Sequence, residues 1–268
     1  MGAVGSIAIS VFKESVRDRV FYNLVIFALL LIGASYLIGQ LTAGQDIKII
    51  KDLGLAATSI FGLFIAVFIG VGLVWKEVER RSIYAILSKP VRRSEFVLGK
   101  YAGLLLTLVV NVAAMAVALY AVLAYMGWLA PPNVRAGWEA PPLDPRLMIA
   151  ILLIFVQLAL VTAIALFFST FSSPMLSAAF TFGLFVIGHF SSDLKRFDKV
   201  VDSPAAASLA RILYYVLPNL APFDVKSLVV HAQPVPAGDV ALTIAYGAAY
   251  IAALLVAAIW IFSRRDFK

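Results

Sequence analysis

Charged residues divide this sequence into long apolar stretches. Apart from the first twelve residues, charge-free runs occupy 20–45, 53–75, 101–134, 147–192 and 240–263. A helix rises about 1.5 Å per residue, so about 20 residues cross the roughly 30 Å apolar core of a bilayer. The first, second and last runs therefore each predict one crossing. The third predicts one crossing that ends near Trp128, ahead of Pro131 and Pro132.

The fourth run is too long for a single crossing. As one helix its 46 residues would extend for about 69 Å. Its middle, residues 169–174, is small and polar and ends in a proline, which is typical of a turn. We therefore divide the run and predict an all-α polytopic membrane protein with six transmembrane helices in one domain, 1–268. The predicted spans are 20–39, 53–75, 101–128, 147–168, 175–190 and 240–262.

Two segments outside the spans also have recognisable patterns. Residues 7–20, which overlap the N-terminal segment 1–19, interleave apolar and charged positions at helical spacing and predict a helix lying in the membrane interface. The long segment 191–239 contains five basic and five acidic residues. Its apolar stretch 205–217 predicts a short helix that lies on or dips into the outer leaflet. The pattern is compatible both with a gate over a substrate path and with a passive cap.

Composition excludes several classes of protein. Hydrophobic residues make up 62% of the chain and charged residues 14%, far from the balance of a soluble domain. Without cysteine, the chain can form neither disulfides nor thiolate metal sites. Its two separated histidines, His189 and His231, cannot supply the HExxH motif of a membrane zinc protease. We expect no catalytic, cofactor-binding or metal-binding residues, and His189 is expected near the outer face as an interfacial hydrogen-bonding residue.

The distribution of charge predicts the orientation. If the N-terminus is cytoplasmic, the cytoplasmic segments contain 13 basic and six acidic residues, and the outer segments contain nine of each. The whole net charge of +7 then lies on one face. Because basic residues are retained on the cytoplasmic side, both termini are expected to be cytoplasmic.

Residues 76–100 contain seven of the 22 basic residues, interleaved with apolar ones. Residues 79–87 have helical spacing, Pro90 should end that helix, and Ser94 is placed to cap the next one. Such a segment could be an interfacial loop whose lysines and arginines extend to the headgroups. The concentration of charge in one loop favours a docking surface for a cytoplasmic partner.

This segment, which runs from Glu77 through Leu87-Ser-Lys-Pro90 to Gly99-Lys100, resembles the coupling-helix region of type-2 ABC transporter permeases. Four further segments are similar to parts of the same family. Residues 12–19 resemble its elbow helix, 172–174 its turn between spans four and five, 215–220 its external segment and 262–267 its C-terminal tail. The branch that the chain resembles most comprises permeases associated with multicopper-enzyme maturation.

The resemblance implies a permease subunit of an ATP-driven exporter rather than an enzyme. Two copies, identical or paralogous, would pair with two ABC ATPase subunits in the inner (plasma) membrane of a prokaryote. ATP and Mg would bind only in the ATPase, with no cofactor in this chain; residues 94–101 lack the first glycine and the final Ser/Thr of a phosphate-binding loop. The ATPase-docking residues implied are Glu77, Glu79, Arg80, Arg81, Ile83, Tyr84, Leu87, Arg92 and Arg93.

Polar residues within the spans have two interpretations. Asn23, Thr58, Asn111 and Gln157 are candidates for lining a substrate cavity, although a buried polar group in a membrane more often bonds to a neighbouring helix. Glycines 62, 70 and 72 should allow close packing of the second span.

Two other functions remain open. A non-transporting membrane anchor for a cytoplasmic complex would show the same docking loop without a substrate path. An intramembrane serine-type enzyme would need a Ser/His or Ser/Lys pair, and no lysine falls within a predicted span. No nucleic-acid partner is expected.

Overall fold

A computed structural model describes residues 2–41, 46–79, 92–190 and 217–264, with side chains throughout except at 73–79. The helices in these ranges, numbered along the chain, are α1 (Ala3–Val16), α2 (Arg19–Gln40), α3 (Asp46–Glu79), α4 (Arg93–Leu129), α5 (Pro132–Arg135), α6 (Arg146–Ser169), α7 (Pro174–His189), α8 (Lys226–Val230) and α9 (Ala237–Arg264). A 3₁₀ turn, Ala221–Phe223, precedes α8. These ranges contain no strand.

Five of these helices, α2, α3, α4, α6 and α9, are long and apolar enough to cross a membrane, and α7 is a shorter apolar helix. The prediction of an all-α polytopic membrane protein is confirmed. The break predicted inside the fourth charge-free run is present, because α6 ends at Ser169 and α7 begins at Pro174. The hydroxyl groups of Ser172 and Ser177 lie 2.6 Å apart across this turn.

The bundle has two ends. We call the end that carries Asp18, Arg93 and the C-terminus of α9 the proximal end. We call the opposite end, which carries the C-termini of α2 and α4 and the N-terminus of α6, the distal end. Helix α6 lies at the centre, packed against α3, α4, α7 and α9. Helices α2 and α9 are peripheral and expose large apolar side chains such as Phe27 and Val256. In a bilayer these side chains contact acyl chains without penalty.

The N-terminal helix begins and ends four residues earlier than predicted. It spans Ala3–Val16, and Asp18 starts the next helix by accepting a hydrogen bond of 2.9 Å from the backbone N–H of Val20. An aspartate at this position satisfies one of the free amides at a helix N-terminus, which explains why the chain turns here. Helix α1 also packs along α4, and Val11 and Ser15 are buried.

Helices α3 and α4 both begin at charged residues, and neither begins where the sequence predicted. Helix α3 begins at Asp46, seven residues before the predicted span, because Lys48 and Lys51 find partners in the segment between α5 and α6. The predicted cap at Ser94 is wrong. Helix α4 starts at Arg93, and the Glu95 carboxylate accepts a hydrogen bond of 2.9 Å from the backbone N–H of Arg92.

The distal part of the fifth crossing is built differently from a simple helix. Helix α7 has 16 residues, a length of about 24 Å, which is shorter than the apolar core of a bilayer. Beyond its end, the segment 217–225 enters the bundle. Leu220 and Phe223 are fully buried in a cluster with Leu160 and Ile164 of α6. The backbone N–H of Leu220 donates to the carbonyl of Gly188 over 2.9 Å, which ties the segment to α7.

The predicted coupling helix, 79–87, lies outside the described residues apart from Glu79. The predicted external helix, 205–217, lies outside them apart from Leu217. For both segments, the structure therefore describes only the residues on either side.

Candidate functional site

The predicted docking residues lie at the proximal end wherever the structure describes them. The backbone of Glu77 and Glu79 forms the C-terminal turn of α3. Arg92 is exposed just before α4, and Arg93 is in its first turn. The other predicted docking residues, Arg80, Arg81, Ile83, Tyr84 and Leu87, are outside the described ranges.

Arg93 connects the start of α4 to the end of α9. Its guanidinium donates hydrogen bonds to the carbonyl oxygens of Phe262 (3.1 Å) and Ser263 (2.7 Å). The rings of Phe96 and Phe262 stack beside this contact, with centroids 5.5 Å apart and planes 13° from parallel. A cation bonded to the last carbonyls of a helix satisfies free acceptors and complements the helix dipole. The residues that follow the predicted coupling segment are thus fastened to the last helix.

Lys100 extends this contact into the bundle. The residue is fully buried, and its ammonium lies 5.0 Å from the centroid of the Phe96 ring. The next residue, Tyr101, is also buried and donates a hydrogen bond of 3.2 Å to the carbonyl of Ala159 on α6. Residues 93–101 therefore contact both α9 and α6.

The four cavity candidates do not converge on one site. Asn23 is exposed on α2, whereas Thr58 is fully buried and donates to the carbonyl of Gly54, one turn earlier in its own helix. Asn111 is buried in α4, and neither amide atom has a partner among the described residues. Gln157 alone joins a polar group that involves another helix.

Gln157 pairs with His189. The Gln157 amide nitrogen lies 3.3 Å from His189 Nε2, and His189 Nδ1 lies 3.1 Å from the Phe185 carbonyl. With the proton on Nδ1, the histidine donates to Phe185 and accepts from Gln157. Gln157 is the midpoint of α6, so His189 lies beside the middle of that helix. The expectation that His189 lies near the outer face is wrong, because α7 ends too soon to reach that level.

The inserted segment 217–225 adds a second polar pair, at a position along the bundle similar to that of Gln157. The backbone N–H of Asn219 donates a hydrogen bond of 2.7 Å to the hydroxyl of Tyr246 on α9. Gly247 contacts both Phe223 and Val156, one residue before Gln157. The middle of the bundle therefore contains a polar layer formed by α6, α7, α9 and the inserted segment 217–225.

A cluster of charged residues occupies the distal end, where sequence analysis predicted no site. Lys51 is fully buried, and its Nζ donates to the Pro141 carbonyl over 2.9 Å. Lys48 Nζ lies 2.6 Å from a Glu139 carboxylate oxygen. Hydrogen bonding from Lys48 lowers the pKa of Glu139 below its ordinary value, so this ion pair persists at neutral pH and is lost as pH falls through that lowered pKa.

These lysines line a cavity of about 130 Å³ together with Trp138 and Glu139. The signal that could have revealed it is a pair of lysines three residues apart at the start of a strongly apolar helix. Among the described residues, no group of three or more histidine or acidic side chains is placed to hold a metal ion.

Comparison with known families gives one match relevant to function. Residues 6–267 match the family described as ABC-2 family transporter protein. A comparison with curated protein sequences gives no match. The family match spans most of α1, the six apolar helices and the segments between them.

Proposed function

The chain belongs to the ABC-2 family of transporter proteins and is the membrane-spanning permease subunit of an ABC transporter; from this premise we propose that it is an exporter driven by a separate ATPase. The observation that carries the proposal is the family match over nearly the whole chain. Members of this family generally work with an ABC ATPase partner. The sequence itself has no phosphate-binding loop.

The proposed assembly has two permeases, identical or paralogous, and two ATPase subunits that bind ATP and Mg. No cofactor is proposed for this chain. Both termini face the cytoplasm of a prokaryotic cell, which places the proximal end at the ATPase. The substrate path runs between the two permeases. A role in multicopper-enzyme maturation is a further proposal that rests only on the resemblance of residues 77–100.

The proposed route of coupling begins in the segment that contains Glu77, Glu79, Arg80, Arg81, Ile83, Tyr84 and Leu87. Closure of the ATPases on ATP moves this segment, and the motion passes to the first turn of α4. The contacts of Arg93 and Phe96 with Phe262 support transmission to α9, and the bond from Tyr101 to Ala159 supports transmission to α6. Arg92, which is exposed, stays available to the ATPase.

The inserted segment 217–225 is proposed as the external gate. Its insertion between α7 and α9 supports this role over a passive cap, because a cap would lie on the bundle rather than within it. The polar layer around Gln157 and His189 lies next to this segment, inside the bundle.

Association with an ATPase tests the proposal. Pull-down of the tagged chain from native membranes should recover an ABC ATPase subunit. The double substitution Ile83→Asp and Leu87→Asp should abolish recovery while the chain still inserts in the membrane. Leu98→Asp is a matched control, because Leu98 is an exposed apolar residue at the same end of the bundle but in α4.

Three outcomes distinguish the alternatives. Recovery that is lost only in the double variant supports the permease with its docking segment. Recovery of cytoplasmic proteins that include no ATPase would favour the membrane anchor. Equal recovery from all variants would contradict docking through residues 79–87.

A further inference from the structure

We propose that the distal cavity is a binding site for the anionic oxygen group, phosphate or carboxylate, of a membrane amphiphile. This site is separate from the proposed transport path and does not depend on it. Four side chains carry the argument: Lys48, Lys51, Trp138 and Glu139, all of which line the cavity.

The cavity has hydrogen-bond donors that lack acceptors. An ammonium group carries three N–H donors, and Lys51, fully buried, makes one hydrogen bond to the described residues, with the Pro141 carbonyl. The indole Nε1 of Trp138 is buried and has no acceptor among the described residues. An indole N–H can only donate, so any group that satisfies these donors must be an acceptor. A buried donor left without an acceptor is costly, which favours occupation of the cavity.

The charge of the lining favours an anion. Lys48 and Lys51 bring two positive charges, whereas Glu139 brings one negative charge and is committed to Lys48. Outside the lining, Asp144 and Arg146 act on Lys51 with opposite signs, so they leave the excess of positive charge in place. The first turn of α3, at Ile47 and Lys48, also lines the cavity. Backbone N–H groups at the start of a long helix are free, and the helix dipole there attracts negative charge.

The size of the cavity matches a small group. At roughly 30 Å³ per water molecule, 130 Å³ corresponds to about four waters. A phosphate or carboxylate group fits in such a space.

A second, larger cavity indicates that the anion belongs to an amphiphile. It has a volume of about 440 Å³ and shares Lys48 and Val230 with the smaller cavity. Ile38, Ile49 and Leu53 give it an apolar side, and Ile38 is itself exposed on the surface of α2. Its remaining lining is polar and includes Asp52, Ser227 and His231. A molecule with its head beside Lys51 can therefore pass Lys48 and extend its apolar part toward the surrounding bilayer. A tryptophan beside two lysines is also typical of the headgroup level of a membrane protein.

The test uses the full chain in bilayer discs of phosphatidylcholine, into which phosphatidylglycerol is titrated. Bound lipid is counted by native mass spectrometry, and thermal unfolding is followed in parallel. Inorganic phosphate is titrated separately to distinguish a lipid head group from a free anion. Charge-assisted hydrogen bonds to an anion are strong, so Lys51→Met should weaken phosphatidylglycerol binding about tenfold or more.

Two variants keep the proposal testable should Lys51→Met fail to fold. Trp138→Phe retains the aromatic packing and removes one donor, and it should weaken binding severalfold. Glu139→Gln removes the carboxylate that competes for Lys48, and it should strengthen binding. Lys226→Met is the matched control, because Lys226 is also paired with an acidic residue and its side chain is 22% exposed, as is that of Lys48, but it lines neither cavity.

The outcomes separate the sources of the anion. Preference for phosphatidylglycerol that depends on Lys51 and Trp138 supports a lipid head group. The same dependence with inorganic phosphate alone supports the anion site with a free ligand. Binding that is equal in all variants, or that falls as much in Lys226→Met as in Trp138→Phe, would overturn the proposal.

Discussion

Buried polar side chains in this bundle differ in how their hydrogen-bonding groups are satisfied. Some of them donate hydrogen bonds to carbonyl oxygens four residues earlier in the same helix, as Thr58, Thr162 and Thr181 do. Burying these satisfied hydroxyl groups in a membrane costs little free energy. Asn111 differs, because both polar atoms of its amide are buried without a partner among the described residues. An unsatisfied group of this kind indicates a role in binding rather than in stability.

Asn111→Leu should therefore raise the stability of the protein. Removing a buried amide without partners recovers its desolvation penalty, of about 1–3 kcal/mol. Thermal unfolding in detergent checks this, with Thr58→Val as a control that removes a satisfied hydroxyl and should not stabilise. If Asn111 lines the substrate path, transport falls even though stability rises. A loss of stability would show that the amide has a partner.

The hydrogen bonds of the Arg93 side chain lead to a second prediction at the scale of the residue. Arg93→Met keeps the aliphatic stem but removes the hydrogen bonds to Phe262 and Ser263, at a cost of about 1 kcal/mol. The apparent unfolding temperature should fall, and ATP-driven transport should fall further if this contact transmits motion to α9. Arg92→Met, a change at the exposed neighbour, should leave the unfolding temperature unchanged. An equal fall in the unfolding temperature of both variants would contradict the contact between Arg93 and the end of α9.

At the scale of elements, α1 and α4 form one unit. The glycines of the Gly99-x-x-x-Gly103 sequence face α1. A Cβ atom on Gly99 would lie 2.7 Å from the Cβ of Ile7, and one on Gly103 would lie 2.6 Å from the carbonyl oxygen of Ala8. Because only glycine allows this approach, the elbow helix is held against the helix that follows the coupling segment.

Gly103→Ala should destabilise this contact. The added methyl group meets backbone rather than a movable side-chain end, and overpacking of this kind typically costs about 1–3 kcal/mol. Gly183→Ala, in α7, is the matched control, because nothing lies within 4 Å of its added Cβ. The control should be neutral or slightly stabilising, as alanine favours helix over glycine. Unfolding curves of the two variants that coincide would contradict close packing of α1 on α4.

At the scale of the whole molecule, the apolar surfaces of α2 and α9 fit a bilayer, and the asymmetric charge of the sequence predicts the orientation. The segments predicted to be cytoplasmic contain the excess of basic residues, and the proposed orientation puts the proximal end in the cytoplasm. The distal end carries Glu139, Lys48 and the cavities described above.

Absence of cysteine makes this orientation directly testable. Single cysteines can be introduced at Ala136, which is exposed at the distal end, and at Ser6, which is exposed on α1. In intact cells, a membrane-impermeant thiol reagent should label Ala136→Cys and should leave Ser6→Cys unlabelled until the membrane is permeabilised. Labelling of Ser6→Cys in intact cells would reverse the proposed orientation.

The pattern of apolar and charged residues was sufficient to predict the class of fold and the break between Ser169 and Pro174. Burying apolar side chains in lipid requires long charge-free runs, and proline after small polar residues ends a helix, so both features are local. Local patterns also suggested the family, through residues 77–100 and the segments around them.

The tertiary structure decided which residues that are far apart in the sequence contact each other. The early start of α3 could not be predicted, because Lys51 is tolerated there only through the carbonyl of Pro141, 90 residues away. Likewise, His189 meets Gln157 because the inserted segment 217–225 replaces the missing end of α7. Arg93 meets Phe262, 169 residues away, only when the start of α4 and the end of α9 come together. Sequence determines which residues need a partner, whereas the energy of each partnership depends on contacts that only the folded bundle creates.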